Sequence, residues 1–252
     1  MAEKFEYPEI FARFYDVIYH SIRDHVDSAF FLNVINETRG PVLEIGVGTG
    51  RFFTTALQQG ADIYGIDISK GMVEVLKKKL AAEHHSRITI GNACFMKLNR
   101  KFDLIIAPFR VFSHITEVKD QLKFLNNVWD HLHDGGTFIF DLFVPDPELL
   151  HKGVNNLVDF EGEYEPDKKL RRISNTVPDL VNQLLDITMR FEWQENDQWN
   201  DESWNFKMRF YFRYELEHLI RLSKLKLLKI YGDYGKSDLN RNSKEFIIIC
   251  GK

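Results

Sequence analysis

The sequence predicts an α/β fold, a mostly parallel sheet with helices on both faces and an inserted antiparallel flap. Short apolar runs at 42–45, 63–66, 88–90, 104–107 and 138–143 alternate with helical segments. Runs that are apolar on both sides and separated by amphipathic helices fit a parallel sheet covered front and back. Further along, residues 185–193 and 204–214 alternate apolar and polar side chains, the pattern of strands with one covered face. A glycine-rich turn directly after the first run is the third indication.

In chain order, the first forty residues read as helices. Phe11, Phe14, Tyr15 and Ile18 fall at i, i+3, i+4 and i+7, and Val26, Phe30 and Val34 follow on a second stretch. The clearest helix of the alternating region carries Val118, Leu122, Leu125, Trp129 and Leu132. Thr116 is placed to cap it, and Gly135 and Gly136 follow it. After Pro145-Asp146-Pro147 the period becomes two. Leu185, Ile187, Met189, Phe191 and Trp193 share one face; Trp204, Phe206, Met208, Phe210, Phe212 and Tyr214 share another, with Arg209, Tyr211 and Arg213 opposite. The polar stretch 194–202 reads as the turn between this antiparallel pair. A helix at 215–223 and strands at 225–230 and 246–250 complete the pattern. The expected organisation is a single domain over 1–252, made of a helical cap at 1–39, a core at 40–147, a flap at 148–214 and closing elements at 215–252.

Composition narrows the classes. With 44% hydrophobic and 28% charged residues, the chain has the balance of an ordinary globular protein. Thirty-three basic against 37 acidic residues leave a formal charge of −4, which gives no global positive field to hold a polyanion. Met1-Ala2-Glu3-Lys4-Phe5-Glu6 carries charges where a signal peptide needs an apolar core. No apolar run approaches the about 18 residues that a membrane span requires. Cys94 and Cys250 both lie in apolar runs, which argues against a disulfide scaffold and for a reducing, cytoplasmic compartment. No membrane partner is expected, nucleic acid is disfavoured, and monomer and homodimer stay open.

The most informative segment is Val42-Leu43-Glu44-Ile45-Gly46-Val47-Gly48-Thr49-Gly50-Arg51-Phe52, a buried strand running through three glycines into a helix. Glycines there permit positive φ and close approach of the backbone to a ligand. Asp67 ends the second strand about 20 residues further on, where a carboxylate meets a ribose diol. A dinucleotide fingerprint would place its third glycine where Arg51 stands. Glu44, a carboxylate near the end of a buried strand, needs a cationic or donor partner. It would repel a pyrophosphate but suits the ammonium of a methionine moiety. The residues therefore favour S-adenosylmethionine over a dinucleotide.

At this point the chain resembles the class I S-adenosylmethionine-dependent methyltransferases, small-molecule type. The matching pieces are 42–51 as the glycine motif, 64–69 with Met72 as the adenosine motif, and Gly91-Asn92-Ala93 after the third strand. To these are added 102–109 at the fourth strand and 132–138 before the fifth. The resemblance is strong over 41–143, reasonable over 216–250 and weak over 148–214. It implies a Rossmann-like, seven-stranded sheet and S-adenosyl-L-methionine as cofactor. It implies backbone contacts around Gly46, Gly48 and Gly50, the ribose on Asp67, and adenine between Ile68 and Met72, with Asn92 and Ala93 beside it. Pro108 and Phe109 would lie beside the methyl. The family usually has an acid where Asn92 stands; an Asn oxygen can accept the same bond without charge. The helix containing Phe14, Tyr15 and Tyr19 is similar to the opening helix of small-molecule methyltransferases, which implies a tyrosine, here Tyr15, closing over the methionine carboxylate.

For the acceptor, the chain has Ala107 and a single proline where enzymes acting on the exocyclic amines of bases carry Asn or Asp before Pro-Pro-aromatic. Neither cysteine is near that motif to attack a base ring carbon. His114 is the candidate general base or substrate contact, with a helix-start histidine as the plainer role. The other histidines show no zinc-ligand spacing, so no metal is expected. Lys77-Lys78-Lys79 reads as a solvated helix face. The expected activity is in-line methyl transfer to a nitrogen or oxygen of a small molecule. An RNA or protein methyltransferase, a dinucleotide oxidoreductase and a catalytically silent activator subunit are the alternatives.

Overall fold

The computed structural model describes residues 7–22 and 26–252. Residues 1–6 and 23–25 of the expected helical cap lie outside the described residues. Within the cap, α1 (Glu9–Ile22) buries Phe11, Phe14 and Ile18, the stripe that the spacing predicts, and α2 (Val26–Glu37) follows. The main sheet is built from β1 (Val42–Ile45), β2 (Ile63–Asp67), β3 (Ile88–Ile90), β4 (Phe102–Ala107), β5 (Leu132–Phe143), β10 (Lys226–Tyr231) and β11 (Glu245–Gly251). Its order is β10-β11-β5-β4-β1-β2-β3. β3, β2, β1, β4 and β5 run parallel, while β11 is antiparallel to both β5 and β10. The helices α3 (Phe53–Gln58), α4 (Lys70–Lys78), α5 (Val118–His131) and α7 (Arg213–Leu222) alternate with these strands. β1 is buried along its whole length, as a central parallel strand must be. β3 is an edge strand on which Thr89 and Ile90 are exposed, so its apolar run is not buried on both faces.

A second sheet holds β6 (Val154–Glu165), β7 (Lys168–Asp179), β8 (Leu184–Glu195) and β9 (Gln198–Arg209), entered through the short α6 (Pro147–Lys152). The expected pair is thus a four-stranded antiparallel meander. β6 and β7 escape sequence reading because their polar and charged residues, as in Glu161-Gly162-Glu163 and Lys168-Lys169, blur the alternation. The turn expected at 194–202 is a tight hairpin at Asn196-Asp197, both at positive φ, and the strands run through the remaining polar residues. On β8, Leu185, Ile187 and Phe191 are buried as the period predicts.

Two registers depart from expectation. The strand alternation stops after β9: Tyr211 is 1% exposed and Phe212 53% exposed, because Phe212 is the N-cap of α7. The buried face of α5 is Gln121, Phe124, Leu125, Val128 and His131, with Val118 exposed, one step around the helix from the predicted stripe. Glu117, not Thr116, occupies its N-cap. Gln121 instead donates to the Ile115 and Thr116 carbonyls, so a polar side chain on the buried face is satisfied locally. Among the described residues three apolar clusters fill the fold: one on each side of the main sheet, and a third where α1 packs under the inner face of β6–β9.

Candidate functional site

At the carboxyl ends of β1, β2 and β4 lies a cavity of about 1420 Å³, roofed by α1 and by the inner face of the second sheet. Ligands of open α/β sheets bind at this edge. A drug-sized site occupies roughly 300–1,000 Å³, so the space admits a nucleoside-sized molecule and a second one beside it. Tyr15, Glu44, Gly46, Gly48, Asp67, Ile68, Met72, Asn92, Ala93, Pro108, Phe109 and His114 all line it. Gly50 does not. At φ +89°, a Cβ there would stand 2.2 Å from the Leu76 side chain, so this glycine serves packing of the loop on α4.

Asp67 is the hinge of the floor. One carboxylate oxygen accepts from the Gly48 amide at 2.8 Å, the other from the Ser69 amide at 2.8 Å. Ser69 itself caps α4, accepting from Met72 N at 3.2 Å. Burial pushes the Asp67 carboxyl up, and the two amides hold it down. Gly46 turns the chain at φ +74°, where a Cβ would lie 2.4 Å from Val111. The glycine loop is tied outward as well: Thr49 donates to Asp16, and Lys79 reaches both Asp16 at 2.6 Å and the Thr49 carbonyl at 2.9 Å. Lys79 therefore holds the loop instead of being simply solvated.

Glu44 is 2% exposed, and its Oε2 has no hydrogen-bond partner among the described residues. Burial drives its carboxyl well above the usual range, with Arg51 opposing. Arg51 pairs with buried Asp27 and lies over the Phe52 and Phe109 rings. Asn92 accepts from Cys94 N at 2.8 Å. Cys94 also lines the cavity, but burial raises its thiol to about 11, so it is no nucleophile at neutral pH.

Beyond the glycine loop, Phe109 and Arg110 both take φ 62°, a left-handed pair that non-glycine residues rarely adopt. Buried Asp141 holds this turn by accepting from Arg110 N at 3.3 Å and from the Tyr234 hydroxyl at 2.6 Å, and Arg110 pairs with Glu245 at 2.9 Å. His114 follows in the turn, 3.4 Å from the Tyr7 hydroxyl. Enclosure lowers it to about 4, so the ring is neutral at pH 7 and a weak base, unlike the free imidazole near 6.5. The residues of the opposite, polar flap face do not line the cavity. Arg209 donates to the Thr116 carbonyl, Tyr211 is buried in the core, and Arg213 pairs with Glu217. The apolar face points into the cavity instead, through Ile187, Met189, Trp204, Phe206 and Met208. Sequence reading also missed Tyr7 and Phe11, whose alternative as plain core aromatics has the same spacing.

Residues 42–136 match the family model described as a methyltransferase domain. Methyltransferases of Bacillus mycoides and Bacillus anthracis, both of uncharacterised role, are 29% identical over 153 residues, 60% of this chain. The chain spans 64% of the length of those relatives. Among solved structures, a S-adenosylmethionine-dependent methyltransferase from Clostridium acetobutylicum superposes with TM-score 0.76 at 20% identity, covering 96% of this chain and 97% of that one. A sugar N-methyltransferase from a Streptoalloteichus species reaches 0.73 at 13% identity, covering 94% and 93%. The chain thus shares its Rossmann-like fold with these structures.

Proposed function

We propose that this chain is an S-adenosylmethionine-dependent methyltransferase that transfers a methyl group by in-line displacement to a nitrogen or oxygen of a small molecule. The observation that carries the reading is the junction of Asp67 with the glycine loop on the floor of a roofed cavity. The residues fit the cofactor. Glu44 presents an unpartnered buried oxygen that suits an ammonium. Asp67 uses part of its acceptor capacity on two amides and keeps the rest for a diol. Ile68 and Met72 supply apolar faces beside Asn92 and Ala93 for the adenine. When bound, the cofactor supplies a sulfonium-activated methyl; the acceptor lone pair takes the carbon and the carbon–sulfur pair stays on sulfur.

The chain's own part is alignment and exclusion of water. Tyr15, Tyr19 and the β8–β9 face close over the cavity. Neutral His114 orients the acceptor by a hydrogen bond, and its low basicity leaves the methylated product to give up its proton to bulk water after it departs. A roofed cavity and the −4 charge favour a metabolite over a polymer. Two free buried cysteines support a cytoplasmic setting. The test is calorimetry with S-adenosylhomocysteine, followed by a screen of metabolite extract with labelled methyl donor. Binding with micromolar affinity and label in a small molecule is expected. Tight NAD binding without S-adenosylhomocysteine binding would overturn the reading.

A further inference from the structure

The second half of the cavity, beyond the glycine loop, is walled by rings from three separate segments. Trp204 and Phe206 of β9 stack at 4.0 Å. Tyr7 and Phe11 close on Trp204 at 4.9 and 4.7 Å, and His114 meets Phe206 at 5.7 Å. These are the separations at which aromatic rings attract one another, and a planar guest can join them. The second sheet adds apolar Ile187, Met189 and Met208, the hydroxyls of Ser174 and Thr176, and the carboxylate of Asp159, which Arg172 pairs.

An anion entering this half would lose its water and need a cation in return. The nearby arginines are offset by carboxylates or turned to a carbonyl. Arg172 pairs with Asp159 at 2.7 Å, Arg110 with Glu245 at 2.9 Å and Arg51 with Asp27, each carboxylate offsetting the charge. Arg172 Nη1 and Arg110 Nε keep no hydrogen-bond partner among the described residues, while Arg209 donates to the Thr116 carbonyl at 2.8 Å. Lys119 and Lys123 line the cavity from α5 but are exposed to solvent, and Lys123 pairs with Asp120 at 2.9 Å. The low basicity of His114 agrees with a site that disfavours charge.

We infer that the acceptor half of the cavity takes an uncharged, aromatic-ring-bearing small molecule and rejects phosphorylated or carboxylated ones. This rests on the methyltransferase reading and names its substrate class. The test uses the full chain saturated with S-adenosylhomocysteine and titrated calorimetrically with 2-naphthol and with 2-naphthyl phosphate. The phenol is expected to bind at least ten-fold more tightly. Trp204→Phe should keep most of that affinity, and Trp204→Ala should lose at least ten-fold of it while S-adenosylhomocysteine still binds. Should Trp204→Ala fail to fold, the ratio between the two probes on the unmodified protein decides alone. Equal or tighter binding of the phosphate overturns the inference, and so does no binding of 2-naphthol to the loaded protein. Failure of S-adenosylhomocysteine itself to bind defeats the underlying reading, a result seen before any probe is added.

Discussion

Asp67 sits where one carboxylate joins the glycine loop, the cap of α4 and the cavity. On the proposed function, Asp67→Ala should remove charge-assisted bonds to the ribose diol and weaken S-adenosylhomocysteine binding by ~1–3 kcal/mol in calorimetry. Unchanged affinity would take Asp67 out of the site. Glu44 predicts a proton effect. Burial keeps its carboxyl raised, and an arriving ammonium would lower it, so S-adenosylmethionine binding should release protons over the pH range in which Glu44 is protonated in the free protein. The binding enthalpy should then vary with the ionisation heat of the buffer, and Glu44→Gln should remove that part. His114 acts on stability with a definite sign. Its folded value, about 4, lies below the about 6.5 of the unfolded chain. Between those pH values the unfolded state binds the extra proton, so stability falls as pH drops through that window and levels off below it. The loss is up to about 3 kcal/mol, and urea melts of His114→Gln should show less of it.

The second sheet is the element whose face assignment matters most. Phe191 is fully buried against Phe11 and Phe14, whereas Asp186 is exposed on the same strand. Phe191→Ala should cost ~3–5 kcal/mol and Asp186→Ala within about 0.5 kcal/mol, read from denaturant midpoints. Equal losses would mean a slipped register. The end of β9 refines this. Phe210→Ser should be severe, because Phe210 is 1% exposed. Arg209→Ala should cost about 1–2 kcal/mol, because its guanidinium holds the Thr116 carbonyl at the entry to α5. Alternation in the sequence put Arg209 on the polar face of its strand; the contact across to another element is what the period cannot express.

At the scale of the whole molecule, the roofed cavity and the net charge act together. A polymer substrate would need an open groove flanked by clustered Lys and Arg, with binding that falls steeply as salt rises. The chain has −4 overall, and Lys79 of its densest basic run is bound to the glycine loop. Labelled methyl donor offered total RNA and a metabolite extract at two salt concentrations should mark the metabolite fraction, with little dependence on salt. Incorporation into RNA alone would reverse the assignment and direct mutation to Lys77 and Lys78.

The residues alone determined the parallel core, the glycine turn, Asp67 at the end of β2 and the existence of β8 and β9. Each of these rests on local signals: a buried run, a positive-φ glycine, a two-residue period. Together with the family resemblance they pointed to twelve cavity-lining positions; most follow because a strand followed by a turn places its end at the sheet edge whatever packs above, whereas Tyr15 reaches the cavity from α1. Tertiary structure decided the rest. It made Gly50 a packing glycine through Leu76, turned α5 by one residue through Phe124 and Val128, and buried Tyr211 where α7 begins. It lowered His114 by enclosing it and turned the aromatic face of β9 toward the cavity. Burial, proton affinity and the face that meets a ligand depend on which distant segment lies opposite, and that is a property of the assembled chain, not of its local sequence.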